Sequence, residues 1–156
     1  MPERTSTPAI VVLALDFGLK RIGIASGDTL TRAAHPRTTI FNGPKGPDWP
    51  AFERVLADTR PARIAVGEPY NADGSVSALT EAARRFAAEL AQRCHLPVDL
   101  VDERWSSQDA EERLRSARAS GERRRRVTRE DVDAAAAAVI LERWLERWFE
   151  RTLTKT

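Results

Sequence analysis

Residues 11–28 read VVLALDFGLKRIGIASGD. An apolar run from Ile10 to Leu15 ends in a carboxylate, Asp16; a glycine-containing turn follows, Gly18-Leu19-Lys20, and a second apolar run covers Ile22 to Ala25. Two short apolar runs separated by a glycine turn predict a β-hairpin. A continuous β-branched run is buried on both faces, so the hairpin belongs in the middle of a sheet covered by helices. Asp16 then lies deep in the fold, where an ionised carboxylate costs several kcal/mol without a cationic partner. Two readings follow for it, a ligand to a divalent metal at a strand end or a turn-capping acid.

Outward from the hairpin, the flanks read in order. Residues 1–8 carry two prolines and no apolar period, and are expected to form a disordered lead to a single domain over 9–150, with 151–156 as a tail. Arg37–Phe41 (RTTIF) predicts a third, antiparallel strand, and Asn42–Pro47 (NGPKGP) is expected to break the chain. Trp49, Phe52 and Leu56 recur at helical spacing within a predicted helix from Asp48 to Thr59. Arg63–Gly67 predicts a buried strand, Ser77–Cys94 a helix with Leu79, Ala83, Phe86 and Leu90 on its apolar face, and Pro97–Asp102 another strand. Strand, helix and strand make a βαβ unit with parallel pairing and a right-handed crossover. Ser106 opens a further predicted helix that fades near Ser120-Gly121, and Thr128 is placed as the N-cap of a last helix reaching about Phe149.

In open α/β sheets, functional groups collect at the carboxyl ends of the strands. Asp16, Glu68 and Glu103 all stand at such ends. On the last helix Asp133 shares a stripe with Ala136, Ala137, Ile140 and Trp144, so it faces the core or the sheet, whereas Asp131 points elsewhere. The bland alternatives are a first-turn acid for Asp133, an ion pair with Arg104 or a helix cap for Glu103, and a solvated acid for Glu68. Together, carboxylates from separate elements suit Mg²⁺ or Mn²⁺, which prefer oxygen ligands and bridge phosphate oxygens. Two such ions about 4 Å apart can activate water and stabilise the leaving oxygen of a phosphodiester.

Composition bounds the partner. The 156 residues are 42% hydrophobic and 31% charged, which suits one compact domain with a core. One cysteine, Cys94, excludes an intrachain disulfide, and with neither a signal-peptide pattern nor an 18-residue apolar run the expected location is the cytoplasm, away from membranes. Net charge is only +2, yet eight arginines crowd residues 113–129. That cluster, including Arg123, Arg124, Arg125 and Arg126, is a candidate phosphate-contacting patch, and Lys20, Arg21 and Arg104 are candidate phosphate ligands nearer the acids. Each has a solvated alternative. Trp105 carries two readings, base stacking and packing in a core or interface; Trp144 and Trp148 read as core or dimer surface, His95 as a helix cap and His35 as part of a turn.

Four blocks, LALDFGLKRIGIASGD, IAVGEPYNADGS, VDERWSSQDAE and VDAAAAAVIL, in this order and spacing resemble the motifs of the YqgF/RuvX family, related to RuvC resolvases. The resemblance spans Leu13 to about Leu145. It implies an RNase H-like α/β fold, a five-stranded mixed sheet of order 3-2-1-4-5 flanked by helices. It also implies a metal-dependent endonuclease acting on four-way DNA junctions or on the 5′ end of precursor 16S ribosomal RNA, with Asp16, Glu103 and Asp133 as catalytic and metal-holding acids. Glu68 departs from the family pattern, which has an apolar residue between the Gly and Pro of that block, and is a possible fourth acid. Symmetric junction cleavage would call for a homodimer. Two other classes stand beside this: a nucleic-acid-binding module without catalysis, and a phosphotransferase of the actin and sugar-kinase type. The latter needs two domains, and has a Ser or Thr where this turn has Leu19-Lys20.

Overall fold

The computed structural model describes residues 8–102 and 128–154. Strand β1 (Val11–Phe17) and β2 (Arg21–Asp28) form the expected hairpin, in a register that pairs Leu15 with Ile24 and Asp16 with Gly23. β3 (Ala34–Gly43) runs antiparallel to β2, helix α1 (Trp49–Thr59) follows, and β5 (Arg63–Glu68) lies parallel to β1. Helix α2 (Ala78–Cys94) crosses over to β6 (Val98–Asp102), parallel to β5, and the long α3 (Arg129–Thr154) ends the described chain.

The predicted 3-2-1-4-5 order holds for the five longer strands, but a sixth is added. Residues 42–47, expected to break the chain, turn back on it: the two-residue strand β4 (Gly46–Pro47) pairs with β3 through Asn42–Pro47 and Gly43–Gly46, giving the order β4-β3-β2-β1-β5-β6. Gly46 takes φ +105°, open to glycine without strain, and Pro47 sits on an edge strand, where its missing N–H breaks no ladder. β3 also starts three residues early, so His35 lies in a strand and not in a turn. Its first half is solvated, which removes the apolar signal that would have marked it. The helix predicted from Ser106 to about Ser120 lies outside the described residues.

Caps explain why the helices start where the sequence places them. Asp48 accepts from the Ala51 N–H at 3.2 Å, and Ser77 and Thr80 exchange bonds in a capping box. Thr128 and Asp131 do the same for α3, the Thr128 N–H donating to Asp131 Oδ2 at 3.0 Å and the Asp131 N–H to Thr128 Oγ1 at 3.2 Å. α3 runs one turn past the expected end, to Thr154.

Period-2 alternation divides the sheet into two faces. Leu13, Leu15, Ile22, Ile24, Ile64 and Val66 pack with Phe52, Phe86 and Leu90 under α1 and α2. The opposite face is built of smaller residues: Val12, Ala14, Ala65 and Val101 meet Ile140, Leu141, Trp144 and Leu145, while Ala25 meets Ala137 and Ala138. Small side chains on both partners let α3 lie close to the sheet. No helix among the described residues is long and apolar enough to cross a membrane.

A polar cluster locks α3 to the start of β6. Arg63 grips Asp99 with both ends of its guanidinium, at 3.0 to 3.3 Å, and the Trp144 indole N–H donates to Asp99 Oδ2 at 2.8 Å. Trp144 is thus core, as one reading of the sequence had it, and Trp148 stacks on it at 5.1 Å. Burial pushes the Asp99 carboxyl up, but the bonds from Arg63 and Trp144 outweigh it and hold the carboxyl below its ordinary value. A lowered folded pKa means that this stabilisation is complete above about pH 4 and disappears as pH falls through the folded value. Asp99→Ala leaves a buried indole N–H and a half-buried arginine unpaired, and is expected to cost about 2 kcal/mol at neutral pH. Denaturation of parent and variant at pH 7 and pH 3 checks it: the gap between them should narrow in acid.

Candidate active site

Asp16 continues the Val12-Ala14 alternation, so its side chain emerges on the α3 face, one residue before β1 ends. Its cross-strand neighbour is Gly23, which presents the same face. A Cβ built on Gly23 would run into the backbone carbonyl of Asp133 and the N–H of Ala134. The first turns of α3 therefore rest directly on the backbone of β2, beside Asp16, in space that only glycine leaves open.

Two further bonds fix that turn. Thr39, opposite Gly23 on β3, donates from Oγ1 to the Glu130 carbonyl at 2.9 Å. Arg21, two residues before Gly23 and on the same face, donates from Nε to Asp133 Oδ2 at 2.8 Å. The bond to Asp133, and then its charge, hold the Arg21 guanidinium above its ordinary pKa. Both side chains are about a quarter exposed, so the pair sits at the rim of the sheet and not within the core. Asp133 faces the sheet, as its helical stripe predicts, and meets it at Arg21, the first residue of β2.

The turn between β1 and β2 is held from β3. Asn42, 7% exposed, donates from Nδ2 to the Gly18 carbonyl at 2.7 Å and from its backbone N–H to the Lys20 carbonyl at 2.8 Å. A Cβ on Gly18 would strike the Arg21 carbonyl. Lys20 is exposed at the tip of this turn, one residue from the Arg21–Asp133 pair. Nothing in the sequence singled out Asn42; a polar residue in a glycine- and proline-rich stretch reads as a loop residue, and only the added hairpin buries it.

Glu68 stands apart. In the parallel register Leu15 pairs with Val66, so Gly67 lies beside Asp16 and Glu68 falls on the opposite face, toward α2. There Arg84 donates to its Oε2, and the Tyr70 hydroxyl donates to its Oε1 at 2.6 Å. Burial pushes the Glu68 carboxyl up; the bonds from Tyr70 and Arg84, with the charge of Arg84, more than offset it and leave it below its ordinary value. Glu68 thus remains ionised within a network that ties the end of β5 to α2. Glu68→Gln is expected to keep nucleic-acid cleavage within about threefold of the parent, the size of a small positional disturbance and far below loss of a reacting group; initial rates on one substrate decide it.

Glu103, Arg104, Trp105 and Arg123–Arg126 lie outside the described residues. Glu103 directly follows β6, whose last residue, Asp102, accepts at its carbonyl from Arg143 of α3 at 2.9 Å. Among the described residues no three of His, Cys, Asp and Glu are gathered to hold a metal. What they do offer is a pair of carboxylates, Asp16 and Asp133, on one face of the sheet beside a glycine seat, with Arg21 bonded to Asp133. That donor chemistry suits Mg²⁺ or Mn²⁺, which commonly take one or two carboxylates and complete their shell with water or phosphate.

The family model described as "RuvX: Holliday junction resolvase" matches residues 10–147. A protein of Xanthomonas campestris pv. campestris (strain 8004), named "Putative pre-16S rRNA nuclease", is 43% identical over 154 residues, 98% of this chain and 99% of the relative. One of the same name from Xylella fastidiosa (strain M23) is 43% identical over 146 residues, 93% and 94% of the two chains. Among solved structures, T. thermophilus RuvC in complex with a Holliday junction substrate superposes with a TM-score of 0.52 at 19% identity, covering 89% of this chain and 96% of that one. At that identity the likeness is one of fold, and it agrees with the RNase H-like architecture expected from the motifs.

Proposed function

The chain belongs to the RuvX family, and from that premise we propose that it is a divalent-metal-dependent endonuclease that cuts structured nucleic acid, with precursor 16S ribosomal RNA as its substrate. One observation carries the reading: the seating of Asp133 on Gly23, beside Asp16 at the carboxyl edge of the central strand. The choice of RNA follows the names of relatives 43% identical over nearly the whole chain. Four-way DNA junctions are a second substrate class, favoured by the description of the family model.

Asp16 and Asp133 would hold the metal, with Glu103 as a third acid on its place directly after β6. When bound, Mg²⁺ or Mn²⁺ lowers the pKa of its water and neutralises charge on the phosphate. The chain's own groups do the rest. Asp133 is pre-oriented by Arg21, so little rotamer freedom remains to be lost when substrate arrives. Arg21 and Lys20 set positive charge beside the carboxylates, which would otherwise repel the phosphodiester. Asn42 keeps the turn bearing Lys20 at a fixed height over the sheet edge.

We therefore read Asp16, Glu103 and Asp133 as catalytic, and Glu68, bonded to Arg84 and Tyr70, as a support for the end of β5. Arg104 and Arg123–Arg126 are assigned to phosphate contact on sequence alone, which is sufficient for a salt-sensitive, sequence-independent share of affinity.

The test is cleavage of three labelled substrates, a 5′-extended precursor rRNA, a synthetic four-way junction and linear duplex DNA, each in EDTA, Mg²⁺ and Mn²⁺. Metal-dependent cutting of the RNA at one position is the expected result. Paired symmetric nicks in the junction would move the assignment to a resolvase and require a dimer, since each protomer brings one site. Cutting in EDTA, or binding with no cleavage of any substrate, would overturn the reading, the second in favour of a binding module.

A further inference from the structure

Phe41 is a large apolar side chain left 65% exposed, and its place in the sheet is specific. In the β2–β3 register it pairs directly with Arg21. Arg21 holds Asp133, so Phe41 stands on the α3 face as the next side chain outward from the proposed catalytic pair. Its ring lies over Gly43: a Cβ built there would meet Cε1 at 2.7 Å, with Cδ1 and Cζ at 3.5 Å, so one edge of the ring rests against the β3–β4 hairpin. The backbone beneath is clamped on both sides, the Phe41 carbonyl accepting from the Asp48 N–H at 3.0 Å and Asn42 bonding the Gly18-to-Lys20 turn. Leu19, 70% exposed, and Lys20 lie in that turn.

Exposed apolar residues scattered singly need no explanation. An aromatic ring braced against a hairpin, beside a cation and two carboxylates, does. Among the described residues, the last helix begins at Arg129 and meets β3 at Thr39, two residues before Phe41, and leaves the Phe41 ring largely exposed. An exposed ring beside a turn that carries a lysine is a pairing that single-stranded nucleic acid selects: a base stacks on the ring while its phosphate takes the ammonium. We infer that Phe41 is a stacking platform for an unpaired nucleobase adjacent to the scissile phosphate, with Lys20 receiving that nucleotide's phosphate. The inference deepens the nuclease reading and rests on its placement of the site. It assigns to the β3–β4 hairpin a part in choosing substrates: a nucleotide that can leave its helix, at a loop, end or branch point, is accepted, and a continuous duplex is not.

The experiment uses the full chain in EDTA, so that binding is read without cleavage, and an RNA carrying 2-aminopurine at successive positions around the processing site. Wild type is expected to quench or shift the probe at one or two neighbouring positions. Phe41→Ala should abolish that change and weaken binding roughly tenfold, the scale of one base–aromatic stack. Phe41→Tyr should retain both, and Phe41→Leu, apolar but without a π face, should behave like Phe41→Ala. With Mg²⁺, the loss should fall on KM and leave kcat within about threefold, since the group touches a flanking base and not the reacting atoms. An abasic nucleotide at the responsive position should remove the difference between Phe41→Ala and wild type. Circular dichroism confirms that the variants fold, as expected for so exposed a residue. Equal probe response and equal affinity for wild type and Phe41→Ala would overturn the proposal. A probe response that depends on Phe41 in a protein that cuts no substrate would sink the nuclease reading and leave the platform standing.

Discussion

Replacing Asp16 with Asn is expected to reduce cleavage by on the order of 10³-fold or more, equivalent to about 4 kcal/mol of transition-state stabilisation at 1.36 kcal/mol per tenfold. The substitution preserves shape and removes only the charge. Asp16 lies one residue from the end of β1, on the face that receives Asp133, and both carboxylates are drawn to the same edge by the Gly23 seat. An amide there is a poorer ligand for a hard cation, so the metal requirement should rise as the rate falls. Binding of nucleic acid should hold or strengthen, because one negative charge facing the phosphates is gone. Initial rates across a Mn²⁺ titration, beside a binding isotherm in EDTA, check the rate, the metal requirement and the binding. A variant that cuts as well as wild type would remove Asp16 from the site.

Gly23→Ala is expected to be the most damaging single methyl group in the described chain. Its Cβ would occupy the position of the Asp133 carbonyl, and that atom is backbone, so no side-chain rotation relieves the clash. Either the first turns of α3 lift from β2 or the hairpin bends away. Both routes strain a contact already fastened by Thr39 to Glu130 and Arg21 to Asp133. Overpacking of this kind costs about 3 kcal/mol or more, which for a chain of this size lowers Tm by roughly 10 °C. Cleavage should fall at temperatures where the variant remains folded, because Asp133 moves with the helix. Thermal melts paired with rates measured well below both transitions separate the two effects. If Gly23→Ala matches the parent in Tm, α3 does not rest on β2 in solution as it does in the structure.

These two residues show how unevenly the site was legible. Asp16 stood out as a candidate because a charge that ends an apolar run is costly without a partner. Asp133 was legible through its helical stripe, a 3.6-residue period that needs no tertiary knowledge. Gly23 was not: in IGIA it is one small residue in a strand, and the reason for it is a helix that begins 106 positions later. Asn42 was hidden in the same way, by a hairpin between a proline and a glycine that propensity alone scores as a break. Glu68 shares a strand end with Asp16 in sequence, yet one residue of register puts it on the opposite face, against Arg84 and Tyr70, which no local pattern records.

By itself, then, the sequence determined the described helices, five of the six strands, the antiparallel sense of the hairpin and of β3, and the parallel sense of the βαβ unit, because hydrophobic period, caps and glycine turns act over a few residues and leave their mark locally. It also determined which carboxylates were candidates. Which of those candidates meet was decided only by tertiary structure. Register and helix docking are set by contacts between residues far apart in the chain, and no local pattern records that a glycine on one strand is the seat for a helix turn from the other end of the molecule.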